Sequence, residues 1–163
     1  MNTPEQLISR LGLIPHREGG WFREIYRSEG TLKTVRNEVE AVRNHSTAIY
    51  FLLTSGQKNA LHRIASDEIW HFYSGSSLAV YEIDANGNFR KNILGTDAEN
   101  GEMPALVIKA GNWFCAEVTE ADSYTLAGCT VSPGFDFEDF ELAVADKLAL
   151  QFPEHEEFIR KFS

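Results

Sequence analysis

Cysteine, proline and long apolar runs are all scarce in this chain, and basic residues are outnumbered. Two cysteines, Cys115 and Cys129, are too few for a disulfide framework. Both fall in strand-like segments and read as buried thiols in a reducing compartment. Cys115 has no His or cationic neighbour in sequence to lower its pKa, so packing outranks reactivity as its reading. The longest uninterrupted apolar run, Ala48 to Leu53, is far too short to cross a bilayer. The first residues lack a basic segment followed by an apolar stretch, so no signal peptide is expected and the protein is expected to be cytoplasmic. Lys plus Arg number 15 against 24 Asp plus Glu, a net charge of −9. Such a field repels nucleic acid and anionic membranes, and no Lys/Arg run offers a local exception. Internal repeats, low-complexity segments and linkers are also missing, which leaves residues 1–163 as a single domain.

Aromatic residues are well represented at 12%, eleven of them Phe, a composition suited to the inside of a β-barrel or sandwich. Thr3-Pro4-Glu5-Gln6 is a helix start with a capping box, and Gly12 ends that helix after the stripe Leu7, Ile8, Leu11. A turn-rich link through Pro15-His16-Arg17-Glu18-Gly19-Gly20 leads to a strand over 21–27. Strict alternation puts Trp21, Arg23, Ile25 and Arg27 on one face and Phe22, Glu24 and Tyr26 on the other. Residues 28–46 read as a long loop or a weak exposed hairpin. Thr47 to Thr54 suits a strand buried on both faces. Short strands come next at Ala60–Ile64, Glu68–Tyr73, 78–84, 89–94, 105–109, 113–118 and 124–131, with Asn86-Gly87 as a strong hairpin turn. Phe135 to Leu142 alternates acidic and apolar residues as another strand. The tail is helical, with a restart at Pro153. Many short strands with helices only at the ends describe an all-β sandwich or barrel.

The stretch His62 to Gly75, HRIASDEIWHFYSG, concentrates the side chains capable of chemistry. Parity places His62 with Ile64, and Glu68 with Trp70 and Phe72, while His71 points the other way. If the turn at 65–67 folds the strands back, His62 and Glu68 face one interior. A His and a carboxylate there are costly unless they pair with each other, bind a ligand or bind a metal.

This stretch resembles the first motif of the cupin superfamily: His62 stands at its first His, Glu68 at its Glu and Gly75 at its Gly, while Ile64 replaces its second His. The second motif is similar at 109–114, where Gly111 is kept and Phe114 replaces the His. The likeness extends to a branch of small cupin proteins through GGWFREIYRS (19–28), STAIYFLL (46–53) and AGCTVSPGFDFEDFEL (127–142). It implies a cupin jelly-roll β-barrel with short terminal helices and a homodimer, with no settled activity. Cupin metal sites resemble three His and one Glu, of which His62 and Glu68 alone remain. Two ligands fall short of zinc and non-haem iron sites, so no cofactor is required and a bound divalent metal is disfavoured.

A more distant likeness to deoxysugar-nucleotide 3,5-epimerases rests on Ala60-Leu61-His62. It would make His62 a base, oriented by Glu68, with Tyr26, Tyr50, Tyr73 or Tyr124 as acid. The expected role is binding of a small polar metabolite (a sugar, nucleotide or sugar nucleotide). The catalytic candidates are His62 and Glu68; the ligand-binding candidates are Arg23, Tyr26, Tyr50, Trp70, Phe72 and Phe114. His16, His45 and His155 read as surface residues. The Glu18-Gly19-Gly20 turn either closes over the barrel mouth or is a plain turn.

Overall fold

The computed structural model describes residues 2–36 and 39–163. Helix α1 (Pro4–Leu11) precedes strands β1 (Ile14–Pro15), β2 (Trp21–Arg27), β3 (Thr31–Arg36), β4 (Val39–Asn44) and β5 (Thr47–Thr54). Strands β6 (Asn59–Ile64), β7 (Asp67–Gly75), β8 (Leu78–Ile83) and β9 (Phe89–Leu94) continue the chain. The last strands are β10 (Ala105–Ile108), β11 (Trp113–Val118), β12 (Tyr124–Ser132) and β13 (Phe140–Leu142), before helices α2 (Ala145–Gln151) and α3 (Glu156–Phe162). Among the described residues, no helix is long and apolar enough to cross a membrane.

Two antiparallel sheets face each other, one ordered β1-β2-β5-β12-β7-β10 and the other β13-β6-β11-β8-β9. Their hydrogen bonds do not run on into one closed barrel, so the jelly roll is a two-sheet sandwich. The turn after β6 does not make a hairpin. It carries the chain from one sheet to the other, so β6 and β7 confront each other across the interior.

Period-2 alternation accounts for the packing. Phe51 and Leu53 of β5, Trp70 of β7, Phe114 and Ala116 of β11 and Ala127 and Cys129 of β12 point inward and form the main core. The outward set of β6, β8 and β11 (Leu61, Ile83, Trp113, Cys115) is buried too, because Leu148, Phe152, Ile159 and Phe162 of the C-terminal segment cover it. At the N-terminus, Thr3 caps α1 in a full capping box, and Gly12 ends it in the left-handed region at φ 64°. Leu7 then packs with Leu52 and Leu126 on the outer face of the larger sheet.

Of the two readings open for residues 28–46, the hairpin is the one present: β3 pairs with β4. One segment differs from the sequence expectation. Residues 135–142 are not one strand: a 3-10 turn over Phe137–Asp139 precedes the short β13. The turn swings Asp139 away from the interior and onto Arg43, whose Nε and Nη2 donate to its two oxygens at 2.8 and 2.9 Å. Arg36 adds a longer contact of 3.4 Å to Asp139. The hairpin is thereby clamped to the 135–140 segment. Glu138 and Glu141 stay largely solvated and pair with Arg43 and Arg63.

Asp139→Ala should therefore cost about 1–3 kcal/mol in chemical denaturation, because it removes the two hydrogen bonds from the buried Arg43 guanidinium and leaves it only the solvated Glu138. A loss under about 1 kcal/mol would show that solvent already screens the pair as it does on a surface.

Candidate functional site

One end of the sandwich is not filled. A cavity of about 170 Å³ lies between β2, β5, β12 and β7 on one side and β6 and β13 on the other. His16, Glu18, His62 and Glu68 line it together with Phe22, Ile49, Ile64, Val131, Phe135, Phe137 and Phe140.

The walls arise from local structure. His16 and Glu18 arrive on the turn between β1 and β2, which dips inward rather than lying on the surface. Gly19 (φ 95°) and Gly20 (φ 77°) make this possible. A Cβ on Gly19 would collide with the Lys58 carbonyl, and one on Gly20 would lie 2.8 Å from the Leu52 carbonyl. The turn is sewn to β6 by the Ala60 N–H donating to the Glu18 carbonyl at 2.6 Å. On β2, the register against β5 slips between Glu24 and Tyr26, leaving Ile25 as an extra residue. This bulge inverts the parity of Tyr26 and Arg27. Arg27 joins Phe22 and Glu24 on the cavity side, and Tyr26 is turned out.

His62 is the centre of the charge arrangement. Its Nε2 lies 2.9 Å from Glu18 Oε2, and its Nδ1–H donates to the Ala60 carbonyl at 2.7 Å. Burial disfavours the imidazolium, but the Glu18 charge and hydrogen bond outweigh it and raise the His62 pKa. Burial likewise works against the Glu18 carboxylate, and its contacts with His62 and His16 still hold it below its usual range. His16 accepts the Glu18 N–H on Nδ1 at 3.3 Å, and burial keeps it neutral by lowering its pKa. Glu68 faces this group from β7. Burial and the negative Glu18 push it up to about 7, against the smaller pull of His62. The Cys129 thiol and the Trp70 indole lie beside it, but the indole N–H completes no hydrogen bond.

His62 and Glu68 both reach the cavity, but the partner of His62 is Glu18, not Glu68. None of the six ligand-binding candidates lines the cavity. Trp70 and Phe114 are spent as core, 5.5 Å and 6.4 Å from the neighbouring rings Phe51 and Trp70. Phe72 packs against the same core. The sandwich interior is solid where a hollow barrel was expected. Arg23 lies outside and donates to the Leu11 carbonyl at 2.9 Å. Tyr26 is exposed, and Tyr50 packs on Tyr73 across the outer face. No tyrosine lines the cavity, so the acid expected from the epimerase likeness is missing there. His71 also lies on the outer face, beside Thr130. Cys115 is buried, which pushes its thiol far up and makes it a packing residue.

A metal does not fit this donor set. Ile64 and Phe114 occupy two of the positions that would carry ligands. Both nitrogens of His62 are committed to protein partners. Among the described residues, no three His, Cys, Asp or Glu side chains are placed to hold an ion.

Glu68 titrates against stability in a definite direction. Its folded pKa of about 7 exceeds the ordinary 4.5, so the folded state keeps a proton that the unfolded chain has lost between those values. Stability contributed by the protonated form is complete below pH 4.5 and is lost as pH rises through 7. Glu68→Gln, which fixes the neutral form, should match the parent near pH 5. Near pH 8 it should gain up to roughly 3 kcal/mol, several degrees in Tm. Equal melting curves at pH 8 would show that Glu68 ionises there without strain.

Similarity to known proteins agrees with this geometry. Residues 5–143 match the model of the family described as "Cupin superfamily (DUF985)". The uncharacterized protein YML079W of Saccharomyces cerevisiae is 32% identical over 145 residues, 83% of this chain and 72% of the yeast protein. The crystal structure of protein SO0799 from Shewanella oneidensis is 36% identical, covers 100% of this chain and 98% of its own, and superposes with a TM-score of 0.88. Oxalate decarboxylase from Bacillus subtilis shares the fold alone, at 15% identity and a TM-score of 0.57 over 91% of this chain and 36% of the decarboxylase. The motif remnants around His62 and Gly111, the two facing sheets and the match over 5–143 together make this chain a member of the cupin superfamily.

Proposed function

We propose that the cavity at the end of the sandwich binds a small polar metabolite. One observation carries this reading: His16, Glu18, His62 and Glu68 converge on a pocket whose remaining wall is largely phenylalanine and aliphatic side chains, with Glu24, Arg27 and Asp136 also lining it. Ionising a carboxyl as buried as Glu68 works against stability, and perturbed titratable groups concentrate where a ligand uses them. The volume of about 170 Å³ falls below the ~300–1,000 Å³ of pockets that enclose drug-sized ligands. The enclosed part of the ligand is therefore no larger than a sugar ring. For a nucleotide or sugar nucleotide, the remainder would lie outside.

A second reading, an isomerase or epimerase, is favoured by the Glu68 pKa near the working pH of the cell. In this reading Glu68, not His62, exchanges a proton with the ligand, because both nitrogens of His62 are occupied. The donor set gives a metal no part in this step.

The chain acts in this reading as a homodimer. Ile69, Tyr73 and Val107 stand exposed on the outer face of the larger sheet, an uncharged patch on an acidic chain that a second copy can cover. Val107→Lys is expected to shift a dimer seen by light scattering to monomer; a monomeric parent would remove this part of the proposal.

Thermal-shift screening tests the main reading. A metabolite at about 100-fold its Kd adds ~2.7 kcal/mol, a shift of several degrees for a domain of this size. The same ligand should lose its shift in Ile64→Phe, which fills the cavity. A panel of sugars, nucleotides, sugar nucleotides and amines that leaves Tm unmoved would overturn the proposal.

A further inference from the structure

The cavity has a sign. Two cationic side chains line it, Arg27 and His62, and neither is free. Arg27 donates from Nε and Nη2 to the Glu24 carboxylate at 3.0 and 2.7 Å, and from Nη1 to Asn44 Oδ1 at 2.8 Å. Its Nη2 also reaches the Phe135 carbonyl at 3.1 Å. His62 is held between Glu18 and the Ala60 carbonyl. Glu24 and Glu18 are thus neutralised by these two partners.

Two carboxyls remain. Asp136 accepts the Glu138 N–H on Oδ1, and its other oxygen has no partner among the described residues. Glu68 is 7% exposed, lines the cavity and meets no hydrogen bond of standard geometry there. An anion entering this space would meet the buried Glu68 carboxyl, and no lining residue offers it a free cation; Arg17 is exposed and lies over Phe137 without itself lining the cavity. A cation would find a counter-charge in Glu68 and, around it, the rings of Phe22, Phe135, Phe137 and Phe140. Aromatic faces attract cations by up to about 2 kcal/mol once water is excluded. Phe137 already receives one, the Arg17 guanidinium, 4.6 Å from its centroid. The net charge of −9 adds a long-range field of the same sign.

We propose that the ligand of this cavity is a small organic cation, an ammonium group on a body no larger than a sugar ring, held by Glu68 against the phenylalanine wall. The proposal rests on the cavity being a ligand site, and it narrows the class of ligand. Phosphate-bearing metabolites are excluded from the enclosed space, which removes the nucleotide end of the expectation drawn from sequence.

Matched probes isolate the charge. Glucosamine, glucose and glucose 6-phosphate place a positive, neutral and negative group on one ring. Choline and 3,3-dimethyl-1-butanol differ in charge at nearly constant shape. Titration calorimetry at pH 7 and low salt, where glucosamine is mainly protonated and about half of Glu68 is ionised, should show at least one of the two cations binding about tenfold or more tightly than its neutral counterpart. Glu68→Gln should abolish that preference while leaving the neutral probe's affinity unchanged. Glu157→Gln, the same charge change on the exposed side of α3, should leave the preference intact. Glucose or glucose 6-phosphate binding as tightly as glucosamine, with choline no tighter than its isostere, would overturn the cation and keep the ligand site. Failure of all five probes, together with an unmoved metabolite panel, would overturn both.

Discussion

The buried pair between His62 and Glu18 is the interaction on which the rest of the site depends. Taking two charges out of water costs several kcal/mol each, and their attraction repays it only with good geometry and satisfied hydrogen bonds. Here the contact is 2.9 Å, and the second imidazole proton goes to the Ala60 carbonyl. The backbone adds its own link, since the Ala60 N–H returns to the Glu18 carbonyl. The turn carrying His16 and Glu18 is in this way made part of β6. Removing either partner would strand a charge where water cannot reach it. Burial first, and then the negative charge held at Glu18, keep the Glu68 carboxyl from ionising at its ordinary pH, against a smaller pull from His62. The protonation states of Glu18, His62 and Glu68 are thus linked to one another.

The same sandwich contains a solid half and a hollow end, and side-chain volume decides the boundary. Trp70, Phe51 and Phe114 fill the middle, each at most 1% exposed. Toward the cavity the inward positions shrink to Thr47, Ile49, Ile64, Cys129 and Val131, and the space they leave is the cavity. Phe114 lies against the His62 ring at a centroid distance of 4.1 Å. It therefore replaces a metal-ligand position by an apolar wall that keeps the imidazole dry and bound to Glu18.

How much of this could be read beforehand depends on whether a local rule was allowed to operate. Alternation grouped Glu68, Trp70 and Phe72 correctly on one face of β7, and the continuous apolar run of 47–54 marked β5 as buried on both faces, but neither showed that Trp70 and Phe114 are core rather than ligand-binding residues. The capping box at Thr3 and the Asn86-Gly87 turn were legible as local motifs. Alternation failed on β2, where one extra residue at Ile25 exchanged the places of Arg27 and Tyr26. It failed again at 135–140, where Asp139 gains more from Arg43 than a strand would offer. Proximity in sequence favoured Glu68 as the partner of His62; Glu18, much further along the chain, won because its turn can descend onto β6. The paired glycines at 19 and 20 were the signal for that descent. Two adjacent residues free to take positive φ allow a backbone approach that any side chain would block.

A cavity of this kind could have stayed dry and apolar at no cost in stability. The fold instead buries a titratable group on each of several elements, ties up its own cations with carboxylates and leaves Glu68 unsatisfied. Sequences depart from the rules of stable packing mainly where function requires it. Several departures meet at the cavity: the bulge that turns Arg27 inward, the two left-handed glycines, and a buried glutamate with no cation of its own. The bulge neutralises Glu24, and the glycines deliver Glu18 to His62. Of the two lining carboxyls that remain after these pairings, Asp136 and Glu68, only Glu68 is buried. The site is thus defined less by the charges it pairs than by the buried one it leaves without a cation.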